Sequence, residues 1–223
     1  MSSPLLVVDR VHPVFQKVFK SFATEHEDFL HDLAYDFYGK RLATCSSDQK
    51  IKLFDQDGKG EWQLVAEIKA HSGSVNKVAW AHPEFGQVLA SCSADRVVNI
   101  YQEIVDSEQH QKTWSNVCHL VDSRDNVADI KFAPRHLGLK LATCSTDGVV
   151  RVYEALDIMN LSNFSVSEEF EADKKNCKCI SWNPSPFDAP TMVVGSNQFA
   201  RVSVYFRAFA LVAFVLIGYW LID

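Results

Sequence analysis

The sequence predicts an all-β fold in which repeated four-stranded antiparallel sheets stack around an axis, the architecture of a β-propeller. Three observations predict it: a near-identical apolar run recurs three times, the copies lie about fifty residues apart, and strand-like segments flank each copy. Units of that period cannot bury a sheet face alone, so they must stack on their neighbours.

The recurring runs are Leu42-Ala43-Thr44-Cys45-Ser46-Ser47-Asp48, Leu89-Ala90-Ser91-Cys92-Ser93-Ala94-Asp95 and Leu141-Ala142-Thr143-Cys144-Ser145-Thr146-Asp147, with 47 residues from Cys45 to Cys92 and 52 from Cys92 to Cys144. A strand precedes each: Leu30–Tyr35, Val75–Trp80 and Val127–Phe132. A strand ending near an aromatic follows each: Ile51–Asp55, Val98–Gln102 and Val150–Glu154. Alternating and β-branched residues suit a pleated, half-buried surface, and the intervening Asp, Ser and Gly residues suit turns. Fourth strands are read at Trp62–Ala66 and Trp114–Cys118. A worn fourth unit follows, with Cys177–Pro184 as its first strand, Met192–Asn197 in place of the apolar run, and Arg201–Tyr205 where the aromatic-ended strand belongs. The organisation expected is an N-terminal extension 1–18, a partial propeller 19–206 with blades at about 19–66, 67–118, 119–170 and 171–206, and a hydrophobic tail 207–223.

Composition narrows the function. The 223 residues are 47% hydrophobic, enough for a sizeable core, so this is no disordered tail. The 22 Lys and Arg against 28 Asp and Glu leave a formal charge of −6, which argues against a phosphate backbone as direct partner and makes proteins the default. Three of the six cysteines sit inside the apolar runs, implying buried, reduced thiols, and Met1–Asp9 lacks a secretory pattern; cytoplasm or nucleus is expected. Cys177 and Cys179 form the sole close pair, without a second pair or His cluster to complete a metal shell. No glycine-rich phosphate loop or lone nucleophile appears, so no catalytic, cofactor or metal residue is assigned.

The chemistry-bearing residues are a repeated polar set. The Asp after each Ser-rich turn belongs where a short carboxylate can accept backbone or imidazole hydrogens. His26 and His71 lie nine residues before Tyr35 and Trp80, in reach of such a carboxylate. The set is His26, Thr44 and Asp48, then His71, Ser91 and Asp95, then Thr143 and Asp147. A hydrolase triad uses the same residue types, but one active site needs no copies in successive units, so a structural network is expected. Phe54, Tyr101 and Tyr153 replace the usual Trp, and Ser123 stands at the third histidine position; those blades are expected to lose one internal bond each.

These residues make the chain similar to WD-repeat proteins, and the stretch from about Phe19 to Tyr205 resembles the Seh nucleoporin family. The resemblance is carried by His31-Asp32, Gly39–Asp48, His71–Val75 and Trp80–Ser93; Leu120–Arg124 and Glu154–Ser162 resemble the nucleoporin and not its sister, the small propeller of the COPII coat. It implies an open six-bladed architecture of which about four blades are present here. It implies membership of the Y-shaped outer-ring complex of the nuclear pore, at the nuclear envelope, and of the GATOR nutrient-signalling assembly at the lysosomal surface. It further implies a partner nucleoporin that supplies a blade in trans, pairing its strands with open sheet edges. A coat propeller and a substrate-recruiting propeller of a ubiquitin ligase are the alternatives.

The two ends depart from the family pattern. Val11, Val14, Phe15, Val18, Phe19 and Phe22 fall at helical spacing in the extension, read either as a partner-binding or membrane-facing helix or as a plain lead-in. Ala208–Ile222 is 15 residues without a charge, short for a bilayer span. It is read as an end replacing the last two blades, as a tail anchor, or as a strand covering the exposed edge. The first reading implies an aggregation-prone chain.

Overall fold

A computed structural model of the chain describes residues 21–105, 112–173, 176–196 and 200–204. The extension 1–18 and the tail 207–223 lie outside these residues. Blade one holds β1 (Leu30–Tyr35), β2 (Arg41–Ser46), β3 (Lys50–Gln56) and β4 (Trp62–Lys69). Blade two holds β5 (Val75–Trp80), β6 (Val88–Ser93), β7 (Val98–Val105) and β8 (Lys112–Leu120). Blade three holds β9 (Val127–Phe132), β10 (Lys140–Ser145), β11 (Val149–Ala155) and β12 (Phe164–Glu171). Blade four has three described strands, β13 (Cys179–Trp182), β14 (Thr191–Gly195) and β15 (Ala200–Val204). Each sheet is an antiparallel meander in chain order, and the first strands β1, β5, β9 and β13 pack on one another in series. That convergence of first strands is the inner ring of a propeller.

The repeat extends to irregularities. One extra residue bulges from the first strand at His31, Asn76 and Ala128, and one from the fourth at Val65, Val117 and Ser167. A bulge adds local twist, and its recurrence at equivalent places bends each blade alike. The sheets run a few residues past the expected blade ends, to Lys69, Leu120 and Glu171.

The apolar runs form the second strand of each blade. Strand side chains alternate between faces, so a strand sandwiched between two blades is buried on both. From Leu42 to Ser46, from Val88 to Ser93 and from Lys140 to Ser145, every residue is buried. Ala43, Cys45, Ile51 and Leu53 meet Leu89, Val78 and Tyr101 between blades one and two. Ala90, Cys92 and Ile100 meet Ile130, Leu141 and Tyr153 in the next joint, and Ala142, Cys144 and Val152 meet Ile180, Trp182 and Met192 in the last. Small Ala and Cys face large residues, which lets sheets approach closely. Burial, with the Asp32 charge next, lifts the Cys45 thiol to about 12, and the thiols of Cys92 and Cys144 also rise well above their ordinary value, so all three stay protonated.

Polar clasps set the register between blades. Trp80 Nε1 donates to the Ala34 carbonyl at 3.0 Å, and Trp182 Nε1 repeats this at Lys131 at 3.1 Å. The carboxylates of Asp32 and Asp129 accept the Val78 and Ile180 N–H groups across the same joints. In blade four, Ser203 pairs with Met192 as Tyr153 pairs with Leu141, so the aromatic position belongs to Ser203 and not to Tyr205.

Candidate partner face and buried polar network

In blade one the Asp48 carboxylate accepts from His26 Nδ1 at 2.7 Å, and His26 Nε2 stands 2.9 Å from the Thr44 hydroxyl. Asp48 also accepts from the Glu27 and Lys50 N–H groups, so one carboxylate ties the approach to β1 onto the turn after β2. Burial works to raise this carboxyl, but bonds from His26, Lys50 and Glu27 outweigh it and hold the group below its ordinary value.

Blade two repeats the set. His71 Nδ1 lies 3.1 Å from Asp95 and its Nε2 2.7 Å from the Ser91 hydroxyl. Asp95 accepts from the Ser72 and Val97 N–H groups, and despite burial these bonds and His71 keep it below the ordinary carboxylate value. Burial pulls His71 down, favouring its neutral form. The Asn99 amide donates to the Ala70 carbonyl at 2.7 Å and accepts from His119 Nδ1 at 2.6 Å.

Blade three assembles differently. Asp147 accepts from the Arg124 and Val149 N–H groups and from the Arg151 guanidinium at 3.3 Å, while Arg151 also reaches Glu169 at 3.0 Å. An arginine in the following strand thus occupies the role left open at Ser123. The Thr143 hydroxyl donates to the Arg151 carbonyl at 3.4 Å, as the Thr44 hydroxyl does to the Lys52 carbonyl at 3.3 Å in blade one. The expected loss of one bond per departing blade therefore needs correction. Tyr101 donates its hydroxyl to the Ala70 carbonyl at 3.1 Å and Tyr153 donates to Asp122 at 3.0 Å; only Phe54 has no polar atom to offer. Burial lifts the Tyr101 hydroxyl to about 12. In blade four, Val194 occupies the place of the buried hydroxyl, opposite Ile180.

In blade one the His26 and Asp48 side chains are 2% and 4% exposed and Thr44 is 1% exposed, so the hydroxyl is enclosed within its own network. Among the described residues no group of three or more His, Cys, Asp and Glu is placed to hold a metal ion, and no helix is long and apolar enough to cross a membrane.

A different surface is chemically unfinished. Position by position, Leu33 matches Val78, Ile130 and Ile180, each opposite the hydroxyl position of its own second strand or its substitute. Those three are at most 4% exposed because the preceding blade covers them, whereas Leu33 is 58% exposed. Tyr35, the counterpart of Trp80 and Trp182, is likewise exposed at 57%. Phe22 covers only the outer part of this face, meeting Phe54 edge-on at 5.2 Å and stacking on Trp62 at 6.1 Å. Sequence inspection left the partner surface unassigned; its signal was a Leu and a Tyr on the face that in later blades is buried.

The WD domain, G-beta repeat model matches residues 16–55 and 62–102. The chain is 52% identical over 199 residues to Nucleoporin SEH1 of Bos taurus, covering 84% of this chain and 55% of the relative. It is 51% identical over the same length to the Homo sapiens protein of that name, and 54% identical over 187 residues to that of Danio rerio, covering 81% of this chain and 51% of the relative. The chain spans about half the length of these relatives. Repeat, register and half-identical sequence agree, and the chain belongs to the Seh nucleoporin family of WD-repeat β-propellers.

Proposed function

We propose that this chain is a non-catalytic scaffold of the nuclear pore outer ring, and that it binds by accepting a partner's blade on the leading face of blade one. The observation that carries this reading is the 58% exposure of Leu33, whose counterparts Val78, Ile130 and Ile180 are all buried, with Tyr35 exposed beside it. Uncovered apolar sheet next to the free edge strands of a blade is what β-augmentation uses: backbone pairing supplies affinity and the bare side chains select the partner. The relatives' name, Nucleoporin SEH1, supports the pore as its setting. The same face would serve the GATOR nutrient-signalling assembly in turn, since a single unfilled face takes one blade at a time.

Affinity purification of the full chain from cells tests this, beside a Leu33→Asp, Tyr35→Asp variant. The expected catch is dominated by nucleoporins, with nutrient-signalling subunits in a separable pool, and both are lost in the variant while its thermal unfolding is unchanged. A catch of vesicle-coat subunits or ligase adaptors, or retention of nucleoporins by a folded variant, overturns the proposal.

A further inference from the structure

What covers the leading face of a blade is displayed three times inside this chain. In each internal joint the second strand of the preceding blade turns two small residues toward the next: Ala43 and Cys45, Ala90 and Cys92, Ala142 and Cys144, all fully buried. Across the sheet each Ala pairs with Leu53, Ile100 or Val152 of the third strand, and each Cys with Ile51, Val98 or Val150. Small residues at alternate positions, each beside a branched aliphatic one, are thus the surface on which Val78, Ile130 and Ile180 close. The low relief of Ala and Cys is what lets the larger side chains seat without a void or a clash.

Blade one carries the receiving half of the same joint. Leu33 and Leu42 stand where Ile130 and Leu141 stand in blade three, and Tyr35 meets Trp62 at 5.8 Å much as Trp80 meets Trp114 at 5.7 Å. Phe22 fills the outer part of the face over Trp62, so the open part is the inner one, against which the small residues close in the internal joints. Leu33 matches Ile130 and Ile180 in size and exceeds Val78, so it leaves a closely packed neighbour no more room than they do. Blade four of a second copy is a poorer match. Val193 lies opposite Ser181 as Ala142 lies opposite Lys131, which puts a larger residue in the Ala place, and overfilling a packed joint is destabilising.

We infer that the partner blade accepted on this face presents, on its second strand, two small residues (Ala, Cys, Ser or Gly) at alternate positions, each paired with a branched aliphatic residue on its third strand. This inference rests on the blade-accepting role proposed above and adds to it the side chains by which the partner is selected. The test replaces Leu33 with an aliphatic diazirine amino acid or, separately, Tyr35 with p-azidophenylalanine, each near the size of the residue it replaces, in the full chain in cells, and maps the joined peptides. The expected result is one strand pair of one other protein captured from both positions, at a small-x-small segment or the branched aliphatic strand beside it. Leu33→Ile, the residue of blades three and four, keeps that partner in affinity purification, whereas Leu33→Trp lowers its recovery at least tenfold without shifting thermal unfolding. A captured strand pair with large side chains in the small places, or full recovery with Leu33→Trp, overturns this inference and leaves blade acceptance standing. Crosslinks to a helical segment or to blade four of a second copy, or no crosslink from either position, overturn both.

Discussion

At the residue scale, one carboxylate per blade does several jobs, and its removal shows which blade depends on it. Asp95→Ala leaves His71, whose side chain is fully buried, without its acceptor and frees the Ser72 and Val97 N–H groups. A cost of about 1–3 kcal/mol is expected, read as a lower midpoint in thermal or urea unfolding. The same set makes stability pH-dependent with a definite sign. His71 is held below its ordinary value of 6.5 by burial, so the unfolded chain binds a proton before the folded one does, and stability falls as pH drops below about 6.5. Asp48, Asp95 and Asp147 are held below 3.8, so they add a further loss as pH falls below that ordinary value toward their folded ones. The unfolding midpoint between pH 7 and 5 is expected to fall less in His71→Gln than in the parent. Arg96, exposed and held at φ 73° in the turn after Asp95, offers the opposite test. Gly148 fills the equivalent turn position at φ 88°, and Arg96→Gly is expected to stabilise the chain by about 0.5–1 kcal/mol.

At the element scale, the repeat is legible where a strand is buried on both faces and dim where it is not. The second strands advertise themselves because every position from Leu42 to Ser46 must be apolar or small, and the same run recurs in the next two blades. The fourth strand of blade three, Phe164–Glu171, escaped notice because its outer position lets Ser and Glu in, leaving only a weak alternation. Arg151 escaped for a different reason. Its place among Lys52 and Asn99 in the repeat marks a polar residue inside an apolar strand, but only tertiary packing aims its guanidinium at Asp147. A blade joint rests on few directional contacts, which makes them testable. Trp80→Phe removes the indole donor to the Ala34 carbonyl and shrinks the ring that meets Trp114 edge-on at 5.7 Å. The expected cost is about 1–2 kcal/mol, with faster hydrogen exchange in β1 and β5 than in β9 and β10.

At the scale of the whole molecule, the same packing rule that builds the joints fixes where the chain is sticky. Each sheet has two faces, and a run of blades buries one face of each against the next, so blade one retains a leading face that no preceding blade in the described structure covers. Leu33 and Tyr35 occupy it, each more than half exposed. Apolar surface of this kind beside an open sheet edge favours association between copies when no partner is present. Leu33→Ser with Tyr35→Ser is therefore expected to raise the monomer fraction in sedimentation velocity. It should leave the unfolding midpoint within about 0.5 kcal/mol of the parent, because exposed side chains contribute little to the folded state. A large loss of stability in that variant would instead mean that another part of the chain already covers this face, and the partner-accepting role would fall with it.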